Sequence, residues 1–307
     1  MGEFDVITRY FSSLGSGEFV DLSVGDDGAA LTVPSNSELI VSTDSSVLDT
    51  HFTDDLFPED LGYKAVASAA SDLAAMGADP LGMTLALTIP TVDDLWLHGL
   101  SQGLARARHE YRLPLVGGDT TRGPLSLTLT VMGFCPPHQK LLRTGANVGD
   151  RVCVSGYLGD AAFGLEVMQG KYRGLEIDFD DQDYLVSRFT HPTARLDLGC
   201  RIRTLASSCI DLSDGLLRDA AHVANASGVR LAIQSATIPL SSALIAAVGK
   251  EQALQFALNG GEDYELLFTL PPDVDIPSEG TVIGVVDEGV GVHCDVTARS
   301  RGYEHFH

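Results

Sequence analysis

Hydrophobic and polar residues follow two different periods along this chain, and both recur in each half. In the first half, Leu39–Thr43, Gly82–Ile89 and Leu125–Met132 carry β-branched or alternating patterns. Such patterns suit a pleated, half-buried surface and predict strands. Between them the spacing predicts a helix over Asp60–Met76. Leu61, Ala65, Ala69, Leu73 and Met76 fall on one stripe, and Gly77 and Pro80 stop it. Its many Ala and Ser residues let a neighbour approach closely. A second helix opens at Thr91, with Asp94 three residues on as its capping-box partner, and runs to about Tyr111.

Pro136–Asp150 holds two prolines, two glycines and Asn147, and reads as the connection between two domains, 1–140 and 150–307. The second restarts with a strand at Arg151–Ser155 and a helix from Gly159. Helices follow at 181–189 and 192–206, then a strand at Ser207–Asp211, a helix near Ser213, and strands at Tyr264–Leu270 and Thr281–Val286. No heptad, solenoid period or low-complexity tract interrupts this. The expectation is an α/β or α+β fold in two domains, and 307 residues allow a core of that size.

Composition narrows the function. The most apolar stretch, Pro80–Val92, is too short for a membrane span and carries two prolines. Glu3 and Asp5 stand where a signal peptide would be basic, so a cytoplasmic location is expected. Five scattered cysteines without a CxxC argue against a disulfide framework or a structural zinc site, and Cys153 and Cys209 read as buried thiols. Against 20 Lys and Arg stand 42 Asp and Glu, a net charge of −22. Such a surface excludes nucleic acid and anionic membranes as partners.

The carboxylates are placed selectively. Asp26 and Asp27 occupy Gly25-Asp-Asp-Gly, Asp44 ends the strand Ser42-Thr-Asp, and Asp72 lies on the small-residue helix. Asp119 follows Gly117-Gly118, Asp211 and Asp214 flank a strand-to-helix turn, and Glu262 and Asp263 follow Gly260-Gly261. Singly, each is an ordinary turn or cap. Together they offer the oxygen-only ligands that Mg²⁺ takes. The nine histidines form no HExxH, and no GxxxxGK[ST], GxGxxG or protein-kinase signature is present. A nucleotide, if bound, is held through carboxylate-bound metal.

Seven segments, Gly25-Asp-Asp-Gly-Ala, Ser42-Thr-Asp-Ser, His51-Phe, Ser71-Asp-Leu-Ala-Ala-Met-Gly-Ala-Asp-Pro, Gly117-Gly-Asp-Thr-Thr-Arg-Gly, Asp211-Leu-Ser-Asp-Gly-Leu and Gly260-Gly-Glu-Asp-Tyr-Glu-Leu, resemble the successive motifs of the thiamine-monophosphate kinase family. They keep that family's order over nearly the whole chain. The wider superfamily is similar to aminoimidazole ribonucleotide synthetase and selenophosphate synthetase. The latter is disfavoured because the first cysteine here is Cys135. The resemblance implies two α/β domains and a homodimer paired through the N-terminal sheets, with ATP across the dimer cleft. It implies several Mg²⁺ ions on Asp27, Ser42, Thr43, Asp44, Asp72, Asp119, Asp211 and Asp214. It implies ATP contacts at Gly118, Asp119, Arg143 and Ser213, and thiamine monophosphate contacts at His51, Glu262 and Tyr303, with Phe306 suspected nearby. The expected reaction is direct in-line transfer of the γ-phosphate to thiamine monophosphate. For the adenine the sequence suggests only Tyr111. Two alternatives stand beside it: another ATP-dependent synthetase of the superfamily, and a non-catalytic thiamine diphosphate sensor.

Overall fold

The structure is a computed structural model and describes residues 2–297. The chain forms two compact units, one comprising residues up to Leu73 together with Ala78–Gln139, the other Ala74–Gly77 together with the chain from Lys140 onward.

The first unit opens with a helical turn, α1 (Glu3–Val6), that runs into a π-helical turn at Ile7–Phe11, and Arg9 and Tyr10 tie this segment to Asp94. Strands β1 (Val20–Leu22) and β2 (Ala30–Leu31) pair with each other. Then come β3 (Glu38–Val47), α2 (Pro58–Ala75), β4 (Asp79–Ile89), α3 (Asp94–Tyr111), β5 (Leu115–Arg122) and β6 (Ser126–Cys135). The four long strands form a sheet in the order β3-β6-β4-β5. Only β4 and β5 run parallel, which is why a whole helix, α3, joins them.

Period two is clearest in β6, where Leu127, Leu129, Val131 and Cys135 are buried and Thr128, Thr130 and Met132 face the other way. Each fully buried Leu or Val contributes on the order of 1.5–3 kcal/mol. Helix α2 is approached closely, at a glycine rather than at the Ala and Ser residues the sequence pointed to. A Cβ on Gly62 would lie 2.5 Å from the Leu100 carbonyl oxygen, and one on Gly103 would lie 1.9 Å from that of Glu59, so α2 and α3 touch backbone to backbone.

The second unit holds β7 (Arg151–Ser155), α4 (Asp160–Met168), α5 (Phe179–Thr190), α6 (Leu196–Ile202), β8 (Ser208–Asp211), α7 (Leu216–Ser227), β9 (Arg230–Ile233), α8 (Ser242–Asn259), β10 (Leu266–Leu270), β11 (Gly280–Asp287) and β12 (Gly291–Cys294). Its sheet has the order β12-β9-β11-β7-β10-β8, antiparallel except for β12 against β9. Val152, Val154, Ile210, Leu231 and Leu267 form the core of its sheet. Phe163, Leu185 and Leu244 form a second cluster among α4, α5 and α8.

Several local expectations change. The cap of α3 is Asp93, whose side chain accepts from the amides of Leu95 and Trp96, while Asp94 is drawn to Arg9 and Tyr10. The predicted helix 192–206 shrinks to α6. The Arg195 side chain, just before it, reaches back to a buried glutamate, Glu265. Asp44 lies inside β3 rather than at its end, and Gly117–Asp119 belong to a strand rather than a turn. Helix α8 was not foreseen. No helix among the described residues is long and apolar enough to cross a membrane.

Candidate active site

In the first unit the register sorts the expected residues onto two faces of the sheet. Ser42 pairs with Val131 and Asp44 with Leu129, both buried, so Ser42 and Asp44 share the helix-covered face. There the Ser42 hydroxyl donates to Oδ2 of Asp72 at 2.5 Å. Asp72 is the half-exposed position in a run of α2 that is otherwise buried from Leu61 to Ala75. The odd-numbered residues face the other way. Thr43 bonds Thr130 at 3.0 Å and Ser45 bonds Thr128 at 2.8 Å between hydroxyls. Asp119 pairs with Ala86, which pairs with Thr128, so Asp119 stands in this second, open row and is exposed. Asp44 and Asp119 are therefore brought level across the sheet but onto opposite faces.

Gly118 takes φ +148°, and a Cβ there would come within 1.9 Å of the Leu85 carbonyl oxygen. Its glycine is required by the neighbouring strand β4. At Gly117 the nearest atom to a Cβ is Thr84 Cγ2 at 3.9 Å. A cavity of about 550 Å³ opens beside these two glycines, with Asp26 and Asp27 on its rim and Ile7, Phe11 and Val116 as apolar wall. Asp27 itself is exposed, and its amide donates to Oδ1 of Asp26 at 2.8 Å. Nδ1 of His51 accepts the Val47 amide at 3.1 Å, which leaves the proton of a neutral ring on Nε2. Tyr111 is withdrawn from any ligand. It is 3% exposed and its hydroxyl meets that of Tyr63 at 2.9 Å.

In the second unit, β8 ends on Asp211, 5% exposed, and the chain turns through Ser213 and Asp214 into α7. Gly215, at φ +116°, makes that turn possible. Asp214 faces Arg218 at 3.3 Å. Asp219 went unnoticed in the sequence: buried on α7, its Oδ2 accepts the amides of Asp214 and Gly215 at 3.0 and 3.1 Å. Burial pushes its carboxyl up to about 7. The sequence signal was an aspartate four residues after the turn glycine, which was read only as helix. The loop carrying Glu262 lies against the same turn, since a Cβ on Gly261 would meet the Ser213 carbonyl oxygen at 2.3 Å. Glu262 and Tyr264 take φ +72° and +51°, and the Tyr264 hydroxyl donates to Oε2 of Glu262 at 3.2 Å. Left-handed backbone costs a non-glycine residue about 1–2 kcal/mol. Arg143 is exposed, and its carbonyl accepts from Ser227 at 3.3 Å. Tyr303 and Phe306 lie outside the described residues.

Among the described residues no group of three or more His, Cys, Asp and Glu lies close enough to hold a metal by itself. Mg²⁺ does not require one. It keeps several waters and binds through one or two carboxylates plus substrate phosphate oxygens. Asp44, Asp72 and the Ser42 hydroxyl on one sheet face are the hard oxygen donors that suit it.

Comparison with known proteins gives the family. The family model AIR synthase related protein, N-terminal domain, matches residues 25–135. The curated thiamine-monophosphate kinase of Escherichia coli (strain K12) is 45% identical over 321 residues, covering 99% of this chain and 98% of its own length. The crystal structure of thiamine-monophosphate kinase from Stenotrophomonas maltophilia K279a superposes with a TM-score of 0.84 at 39% identity, covering 91% of this chain and 92% of that one. The structure of AaThiL complexed with AMPPCP and TMP gives 0.82 at 33% identity, covering 99% and 97%. With likeness of this extent in sequence and in fold, the chain belongs to the thiamine-monophosphate kinase family.

Proposed function

We propose that this phosphotransferase moves the γ-phosphoryl group of ATP directly onto the phosphate of thiamine monophosphate, giving thiamine diphosphate and ADP. The observation that carries this reading is the family likeness over 99% of the chain, which spans both units. A solved relative that bears AMPPCP and TMP supports the two substrates.

The acceptor, a phosphate monoester, has a second pKa near 6 and is largely dianionic at neutral pH. It is already a nucleophile, so the chain needs no general base. One of its oxygens bonds to the γ-phosphorus while the bond from that phosphorus to the β–γ bridging oxygen breaks, and ADP leaves with that electron pair. The obstacle is repulsion: two unit charges ~4 Å apart cost about 4 kcal/mol at an effective dielectric near 20. Mg²⁺, when bound, neutralises that charge and orients both phosphates in line. In this reading several Mg²⁺ ions are held, one by Ser42, Asp44 and Asp72 on the helix-covered face of the first unit's sheet, and others through Asp27, Thr43, Asp119, Asp211 and Asp214. Gly118, Asp119, Arg143 and Ser213 contact ATP. Nε2 of His51 donates to the thiamine phosphate, and Glu262 faces the cationic thiazolium; Tyr303, outside the described residues, is kept only as an expected thiamine monophosphate contact.

The pairing of two copies belongs to the same proposal. Edge strand β3 carries Leu39 and Val41 on the open sheet face, 49% and 54% exposed. A second copy would cover them, and a cytoplasmic location supplies the ATP.

The test is an assay for thiamine diphosphate with ATP, Mg²⁺ and thiamine monophosphate, run beside one with formylglycinamidine ribonucleotide. Thiamine diphosphate and ADP in equal amounts are expected. Turnover of the second substrate alone, or binding without turnover, overturns the reading, as does a phosphorylated protein formed during turnover.

A further inference from the structure

The two loops of the second unit's site are joined by a ladder that the proposed reaction does not use. The Leu212 amide donates to the Glu265 carbonyl at 2.8 Å, and the amides of Glu262 and Tyr264 donate to the carbonyls of Ser213 and Leu212 at 2.9 Å each. Asp263 and Glu265 turn inward, 2% and 0% exposed.

Each is anchored differently. Glu265 receives two 2.6 Å bonds from Arg195, one of 3.0 Å from Arg188 and one of 2.5 Å from the Ser155 hydroxyl. Through Ser155 it is fixed to β7, and it directly precedes β10. Asp263 instead receives the Gly159 amide at 2.8 Å on Oδ2 and the Ala161 amide at 3.5 Å on Oδ1. Those amides open α4, whose N-cap residue is a glycine with no side chain to cap it. Asp263 thus supplies, from another part of the chain, the acceptor that the first turn of α4 lacks. The partial positive charge at that helix end favours a carboxylate there.

We propose that Asp263 is a positioning residue for the thiamine substrate: by clamping its loop to the first turn of α4, it fixes where the Glu262 carboxylate stands against the Asp211–Asp214 turn. The inference rests on the reading that Glu262 faces the thiazolium. Both neighbours of Asp263 sit in left-handed backbone, which persists only where the surroundings hold it. Without the Asp263 anchor, Glu262 and Tyr264 relax towards ordinary angles and the Glu262 carboxylate moves. The Glu265 cluster still holds β7 and β10, so the disturbance stays within the loop.

A double-mutant cycle between positions 263 and 262 separates this role from plain stability. D263A is expected to raise KM for thiamine monophosphate about tenfold while KM for ATP stays within about twofold. In an E262Q background, D263A is expected to add nothing, because its effect runs through Glu262. If E262Q alone leaves that KM unchanged, the thiamine role of Glu262 fails and this proposal with it. If E262Q raises KM but D263A does not, or adds its full effect on top, only the positioning role is overturned. Should D263A not fold, D263N keeps one oxygen for the Gly159 amide. It is expected to show the same non-additivity with a smaller rise, and additivity there overturns the role equally.

Discussion

The hydroxyl of Ser42 donates to the carboxylate of Asp72 across 2.5 Å, joining the middle of an edge strand to the one half-exposed position in a buried stretch of helix. An asparagine at 72 would accept the same hydrogen bond, so a purely structural carboxylate would be replaced at little cost. A carboxylate that carries metal charge would not. D72N is expected to lower kcat by roughly 10²–10³-fold, the scale of losing one group that stabilises transition-state charge. The melting temperature should stay within a few degrees. Assay and circular dichroism on one preparation check both, and activity within tenfold of wild type would remove Asp72 from the metal set.

Magnesium binding should depend on nucleotide. With no ready-made cluster of three acids among the described residues, the free protein offers each ion only one or two carboxylates. Calorimetric titration is therefore expected to show weak binding to the protein alone and binding at least tenfold tighter with a non-hydrolysable ATP analogue. Chelation should abolish turnover without unfolding the chain, because the cores are apolar. Tight binding without nucleotide would mean that the protein builds complete cages by itself.

How much of this was legible in the sequence varied with the physics involved. Period two in β6 and the small-residue stripe of α2 gave their elements directly, because burial on one face leaves its mark on every second or every fourth residue. The strand through Gly117–Arg122 was hidden, since glycines and threonines there carry no apolar alternation. Its sheet position comes from pairing with β4, a contact distant in sequence. The candidate residues were found as acids near glycines. Which sheet face each occupies followed only from the register, Asp219 emerged only when its carboxylate was seen to cap amides elsewhere, and Asp263, already among those acids, showed its capping role only then.

The two glycines before Asp119 should respond differently to the same change. A Cβ at 118 would overlap the Leu85 carbonyl on backbone already at φ +148°, whereas a Cβ at 117 meets nothing closer than 3.9 Å. G118A is expected to destabilise the fold by about 3 kcal/mol, at the upper end of overpacking costs. G117A should change stability by less than about 1 kcal/mol. Chemical denaturation of both variants checks this. Equal losses would show that β5 can move away from β4.

Stability should fall as pH rises from 5 to 8, the window that contains the value of about 7 to which burial pushes Asp219, and Asp263, raised as well, should account for part of that fall. Burial holds the Asp263 carboxyl well above the usual range, although the Gly159 amide and Arg188 pull it down. Asp160 is raised too, again chiefly by burial, against the hydrogen bonds from Ser241 and Tyr184. An acid raised on folding keeps its proton longer in the folded chain than in the unfolded one. Its stabilisation is complete below the ordinary aspartate value of about 4 and is lost as pH climbs through the raised value. Glu279 works in the opposite sense. Bonded to Arg201, it is pushed down to about 2, so its contribution is present above the ordinary glutamate range and lost only as pH falls towards 2. It is therefore flat between pH 5 and 8. In magnesium-free buffer the melting temperature of the wild type should decline across that window, and D263N should decline less steeply. Parallel curves would show that Asp263 is already ionised in the folded chain at pH 5, with the amides of α4 and Arg188 outweighing its burial.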